Sequence, residues 1–233
     1  MKLKKSVKIT LICIVALIVI GALTVLGIFL HNKSKFRYED HLDDIIITVD
    51  STNITLRQFG FYIYQVEDFG QKQALLYDKD NPSLWWNTHF AAGPDSAFVS
   101  DIAKEAAINT CISYEIYYNE AKKNGLSLDE SDEEFALNEA QNFYSQMTPY
   151  QLEVTGLNEE IISDLKRRNT LGLKYMLYLC DTVDLSDYDG DVEQLFSWEG
   201  EYYINEILPN HNIEINEKLL DSLSFGKITV NKQ

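Results

Sequence analysis

Residues 9–30, ITLICIVALIVIGALTVLGIFL, hold no charged side chain. In a helix such a run rises roughly 33 Å, enough to cross a hydrocarbon core of about 30 Å. Lys2, Lys4, Lys5 and Lys8 precede it, and the positive-inside rule puts that end in the cytoplasm and everything after His31 outside. A cleaved signal peptide competes with an uncleaved anchor. Its apolar region is usually about 7 to 15 residues long and ends in small residues at an A-x-A-like site, for which Val25-Leu26-Gly27 is a poor candidate. Lipid attachment at Cys13 is a third reading, opposed by Ile12 where a bacterial lipoprotein signal wants a small residue. The expected plan is a cytoplasmic basic tail (1–8), a transmembrane signal-anchor (9–30), a stalk (31–43) and an extracytoplasmic body.

All 36 acids lie after the apolar run, with 16 of the 20 bases, so residues 31–233 carry a net charge of −20. Phosphate backbones are bound by clustered Lys and Arg, and an acidic body repels them, which excludes nucleic acid as a partner class. With 45% apolar residues and four prolines in 233, the body folds around a core. Cys111 and Cys180 are too few for a disulfide-built scaffold. They read as two buried free thiols or as one bridge between two helices.

The body begins with IIITVDSTNIT (45–55), a β-branched strand-turn-strand. Thr55 and Gln58 have the capping-box spacing, and a helix with Phe59, Tyr62, Ile63 and Val66 on one face is expected from there to about Tyr77. A loop over 78–94 holds Trp85 and Trp86. A long helix follows from Ser96 and ends at Lys122-Lys123-Asn124-Gly125, with bases in its last turn and Gly beyond. Ser127–Glu134 opens the next helix, which breaks at Pro149. A short turn reaches Gly156, and Asn158 caps a helix with the stripe Ile161, Leu165, Gly172, Met176 and Leu179. An acidic linker (183–191), a helix over Val192–Leu208, the strands NIEIN (212–216) and KITV (227–230), and a short helix near Leu219–Leu223 complete the chain.

Chemistry-bearing motifs are sparse. His31, His41, His89 and His211 occur singly, with no H-x-x-x-H and no C-x-x-C. Asp187-x-Asp189-Gly190 matches positions 3, 5 and 6 of an EF-hand loop, but Leu185 and Phe196 would then stand at positions 1 and 12, where oxygen ligands belong. No metal site and no cofactor is expected. The aromatic content is the unusual feature: 14 Tyr, 11 Phe and 3 Trp. Phe59, Tyr62 and Val66 share one helix face, so Phe61 and Tyr64 face either a second helix or a groove able to hold something apolar.

The order of elements resembles a known family. A membrane signal leads through a hairpin and I-T-x-x-x-F (Ile54, Thr55, Phe59) into a first helix and a Trp-containing loop. A long helix then ends in EAKKNGLSLDESDEEF (120–135), followed by L-x-x-x-G-L-N-E-E-I-I (152–162) and LGLKYMLYL (171–179). Over about residues 44–182 this is similar to the N-terminal chaperone domain of the SurA/PrsA extracytoplasmic foldases, a trigger-factor/SurA peptide-binding-like module. The most specific piece is A-x-x-x-G-[IL]-x-L-x-x-x-[DE]-[DE], at Ala121, Gly125, Leu126, Leu128, Glu133 and Glu134. In that family the last long helix leads into a parvulin-type prolyl isomerase domain, whereas here about ten residues separate Leu179 from Val192. Residues 200–223 look like the family's closing segment, which returns to the chaperone domain.

The resemblance implies a mainly α, multi-helix chaperone domain (44–182) with a small β element, and a C-terminal helix and strand segment (192–233) packing back on it. The function it implies is that of a bacterial, membrane-anchored, extracytoplasmic holdase for unfolded or nascent secreted polypeptides, without catalysis by an isomerase domain. Phe61, Tyr64, Trp85 and Trp86 are the expected client-binding residues. The alternative is a structural or interaction subunit of a secretion or cell-envelope complex, in which the aromatics form one specific interface.

Overall fold

A strand with apolar residues on both faces must be covered on both faces, and β1 (Ile45–Val49) is: Ile46, Ile47 and Val49 are fully buried. In the computed structural model, which describes residues 36–90 and 96–230, β1 is the centre of a three-stranded antiparallel sheet ordered β2-β1-β3. β2 (Thr52–Thr55) returns through a tight turn at Asp50 and Ser51 and pairs Ile47 with Ile54. β3 (Ile213–Ile215) comes from the far end of the chain and sets Ile47 against Ile215 and Val49 against Ile213. Residues from Tyr38 onward form one compact unit, mainly helical around this small sheet.

The helices begin where the side chains cap them. Thr55 and Gln58 make the reciprocal capping box that opens α1 (Leu56–Tyr77). After the short α2 (Ser83–Trp86) comes α3 (Val99–Lys123), the longest helix of the described residues. Asp129 and Asp132 form the capping box of α4 (Glu130–Gln146), and Thr148 with Gln151 forms that of α5 (Pro149–Thr155). Asn158 caps α6 (Glu159–Thr182). Each such cap satisfies orphan amide donors and is worth about 1 kcal/mol.

α3 and α6 pack closely because α6 presents Gly172 to α3. A Cβ there would stand 3.3 Å from both the Tyr114 carbonyl oxygen and the Tyr118 amide nitrogen. Arg168 and Glu115 pair across the same interface, with the guanidinium 4.6 Å from the centre of the Tyr118 ring. α4 is tied to α6 by Lys174 with Asp129 and Asp132, and by Arg167 with Glu133. Residues 192–230 return to the first half of the fold. α7 (Val192–Leu195) is followed by a turn whose Phe196 carbonyl accepts the Tyr117 hydroxyl at 2.5 Å. α8 (Glu217–Asp221) follows β3, where the Asn216 amide bonds the Ile46 carbonyl oxygen at 2.9 Å.

Four local expectations are revised. Trp85 and Trp86 stand in and at the end of a helical turn rather than in an open loop. The helix expected over 192–208 is broken: α7 stops at Leu195, and a π-helical turn at Tyr203–Ile207 follows the tight turn at Gly200. KITV is not a strand, because its amides turn inward onto one buried carboxylate, that of Glu67. Residues 38–43, expected as stalk, lie against the domain, with the buried Tyr38 hydroxyl donating to the Leu56 carbonyl oxygen at 2.6 Å and Asp43 paired to Arg57 at 2.7 Å. The tail at 1–8, the span at 9–30 and stalk residues 31–35 lie outside the described residues. Among the described residues no helix is long and apolar enough to cross a membrane.

Candidate functional site: an apolar groove beside Trp86

The apolar stripe of α1 runs past the core that it helps to build. Phe59, Tyr62, Val66, Phe69, Gln73 and Leu76 recur in steps of three and four, so they share one face. Exposure climbs along that face: Phe59 and Tyr62 are buried, Val66 is half-buried, Phe69 is 66% exposed and Leu76 81%. The stripe leaves the core where the helices around it diverge and becomes one wall of a cavity of about 260 Å³. Val99, Ile102 and Ala103 at the start of α3 form the facing wall, and Trp85, Trp86 and Phe90 close the end. Of its lining residues Phe90 is 70% exposed and Ile102 37%. Exposed apolar side chains gathered at one cavity mark a binding site more often than the same side chains scattered singly.

Trp86 is 3% exposed. Its ring is packed against two glycines: a Cβ on Gly70 would clash with Cη2, and one on Gly226 would clash with Cδ2. Gly226 also has a φ of +80°, a conformation that residues with a Cβ rarely adopt. Trp85 is half-buried, with its ring centre 5.4 Å from that of Tyr77. Neither indole N–H has a hydrogen-bond partner among the described residues.

One turn before Gly70, Glu67 is 1% exposed and accepts six hydrogen bonds from the last described residues of the chain. The amides of Gly226, Lys227 and Ile228 donate to Oε1 at 2.5, 3.1 and 3.2 Å. The amide and hydroxyl of Thr229 and the amide of Val230 donate to Oε2 at 2.5, 2.5 and 3.1 Å. Burial pushes the Glu67 carboxyl above its ordinary value, and these hydrogen bonds pull against that shift. Successive amides wrapped on one anion form a nest, with a carboxylate as its guest.

The expected client residues divide. Trp85 and Trp86 line the groove. Phe61 and Tyr64 do not: Phe61 is fully buried, stacked on Phe143 at 4.4 Å, and Tyr64 meets the same ring edge-on at 5.0 Å. They face a second helix, α4, rather than the groove, and burial pushes the Tyr64 hydroxyl up to about 12. Phe69 and Phe90 are groove residues that the sequence reading missed. The signal for Phe69 was present, in the continuation of the α1 stripe beyond Val66.

The remaining polar clusters are structural ties. His211 Nδ1 donates to the Asp50 carboxylate at 2.8 Å, and the Asn212 amide donates to Asp50 at 2.9 Å, which joins the β1–β2 turn to the start of β3. Burial raises the Asp50 carboxyl, but His211 and the Asn212 amide outweigh it and hold the group below its ordinary range. Cys111 and Cys180 are free thiols, and burial pushes both upward. Among the described residues no three His, Cys, Asp or Glu side chains are grouped to hold a metal ion. No family model, curated protein or solved structure matches the chain.

Proposed function

We propose that this chain is a membrane-anchored, extracytoplasmic chaperone of the holdase type, similar in plan to the SurA/PrsA chaperone module without its isomerase, and that the groove beside Trp86 holds apolar segments of unfolded polypeptides. The observation that carries the reading is the α1 stripe leaving the core at Phe69 and ending exposed at Leu76, with Phe69 lining one cavity together with Trp85, Trp86 and the exposed Phe90. Reversible capture there lowers the free concentration of unfolded chain and so slows its aggregation. Exposed aromatics suit this use, because a large ring contributes contact area at little cost in rotamer entropy.

The test uses the full chain in a non-ionic detergent and three unrelated proteins diluted from denaturant, with aggregation followed by light scattering. Suppression of all three is expected. Phe69→Ser combined with Phe90→Ser is expected to remove most of it while leaving the unfolding midpoint nearly unchanged, since both side chains are exposed. Trp86→Ala is expected to destabilise the fold as well, by about 3 kcal/mol or more. Absence of suppression, or suppression indifferent to Phe69 and Phe90, would defeat the proposal.

A further inference from the structure

We infer that Glu67 is the positioning residue of this groove: by gathering the amides of Gly226–Val230 onto its carboxylate, it holds Gly226 against the indole of Trp86 and so fixes the groove's inner end. The inference rests on the reading of the groove as a binding site and adds how that site is kept in shape.

Two observations combine. The indole of Trp86 is oriented by packing, because its N–H has no hydrogen-bond partner among the described residues and its ring is packed against Gly70 and Gly226. The first wall is the backbone of α1, which is rigid. The second belongs to neither helix nor strand; a turn closed by the Lys227 amide on the Ser224 carbonyl oxygen at 3.2 Å shapes it locally but ties it to no other element. Its amides bond to Glu67, three residues from Gly70 on the same face of α1. One helix thus supplies the first wall directly and the second through a carboxylate.

Other contacts keep the segment nearby without setting its position at the indole. Gln151 Nε2 donates to the Thr229 carbonyl oxygen at 2.9 Å, and Phe225 and Ile228 are buried. None of these fixes Gly226 as its 2.5 Å bond to Oε1 does. Every donor on the two oxygens is an N–H or O–H, which suits an ionised carboxylate and no other side-chain group of this length. Glutamine would turn an NH₂ toward donors, so Glu67→Gln keeps the shape and breaks the nest.

The experiment labels the full chain in non-ionic detergent with 5-fluorotryptophan, so that Trp85, Trp86 and Trp198 report separately by fluorine NMR. Each signal is assigned by single Trp→Phe changes. Binding is read from the anisotropy of a labelled neutral peptide centred on Leu-Phe-Leu. Glu67→Gln is expected to shift and broaden the Trp86 signal, to leave Trp198 in place and to weaken peptide binding roughly tenfold, the scale of one anchoring residue. An unmoved Trp86 signal, peptide affinity equal to or tighter than that of the native chain, or an equal disturbance at Trp198 would overturn the inference. Should Glu67→Gln fail to fold, Gly226→Val attacks the same contact with the carboxylate intact. It must move the Trp86 signal, and failure to do so overturns the inference too. If the native chain binds no peptide, the groove reading fails, and the Trp86 signal still decides what Glu67 does.

Discussion

Thr229 donates both its amide and its hydroxyl to Oε2 of Glu67, each at 2.5 Å, across 162 positions of sequence. A hydrogen bond to a buried charge is worth more than one between neutral groups, about 1.5 to 3 kcal/mol. The Thr229→Val variant keeps the shape and the amide bond and removes only the hydroxyl. It is expected to lower the unfolding free energy of the full chain by about 1.5 kcal/mol, read from the midpoint of denaturant unfolding. An unchanged midpoint would show that the hydroxyl adds nothing to the nest.

The clamp between α4 and α6 makes stability depend on pH at both ends of the scale. Hydrogen bonds from Ser131, from the Asp132 amide and from Lys174 hold the Asp129 carboxyl well below its ordinary range, and those to Asp132 and Asp129 hold the Lys174 ammonium above its own. A depressed carboxyl stabilises the fold above its unfolded pKa of about 3.9 and loses that contribution as pH falls through the folded value. A raised ammonium stabilises below its unfolded pKa of about 10.4 and loses the contribution as pH rises through the folded value. The stability difference between the native chain and Lys174→Met is therefore expected to be flat from about pH 5 to 9 and to shrink outside that window. A difference that does not change with pH would separate these charges from the packing of the two helices.

Under the proposed function, charge around the groove is expected to favour basic peptides. Asp101 and Glu105 are exposed, lie four apart on α3, and each precedes a groove residue, Ile102 and Ala106. Lys104 between them is turned away, donating to the Leu220 carbonyl oxygen at 3.1 Å. Of three peptides with one apolar centre, the Lys-flanked one is expected to bind roughly three- to tenfold tighter than the Glu-flanked one, with the Ser-flanked one between, and the spread is expected to narrow in salt. The Asp101→Asn, Glu105→Gln pair is expected to reduce that preference. Equal affinities at low salt would show the rim to be silent.

Prolyl isomerisation crosses a barrier near 18 to 20 kcal/mol. α6 and α7 are joined by residues 183–191 alone, too short a stretch to hold a separate catalytic domain. The chain is expected to leave the cis/trans exchange rate of a Pro-containing peptide unchanged at any protein concentration, while still raising refolding yield. Acceleration that scales with concentration and is lost in His211→Ala would reverse this.

The topology is tested by N-terminal sequencing of protein extracted from membranes. Residues 9–30 are expected to be retained, because the run is long and poorly ended for cleavage. A mature chain starting near Ile28 or His31 would exclude an anchor.

What the sequence made legible was local. Thr55 with Gln58, Asn158 and the Gly125 and Gly156 stops are short-range signals, and the helices begin and end by them. The β3 pairing was half legible, since IIITV offers a free edge and the short NIEIN cannot bury a face alone. The nest was not legible, because KITV has the residues of a strand and only a carboxylate about 160 positions away turns its amides inward. The groove was misread at Phe61 and Tyr64 for a related reason. Periodicity tells which residues share a face, but not how far along that face the neighbouring helices reach.

The nest also orders events in time. Gly226 is made 159 residues after the carboxylate that it binds, and at about 5 to 20 residues per second that is a wait of roughly 8 to 30 s. Until then α1 carries a charge meant for the interior with nothing to receive it, and Trp86 has only one of its two walls. A half-made chain therefore cannot complete the packing around Trp86, which closes only once residues 226–230 are present.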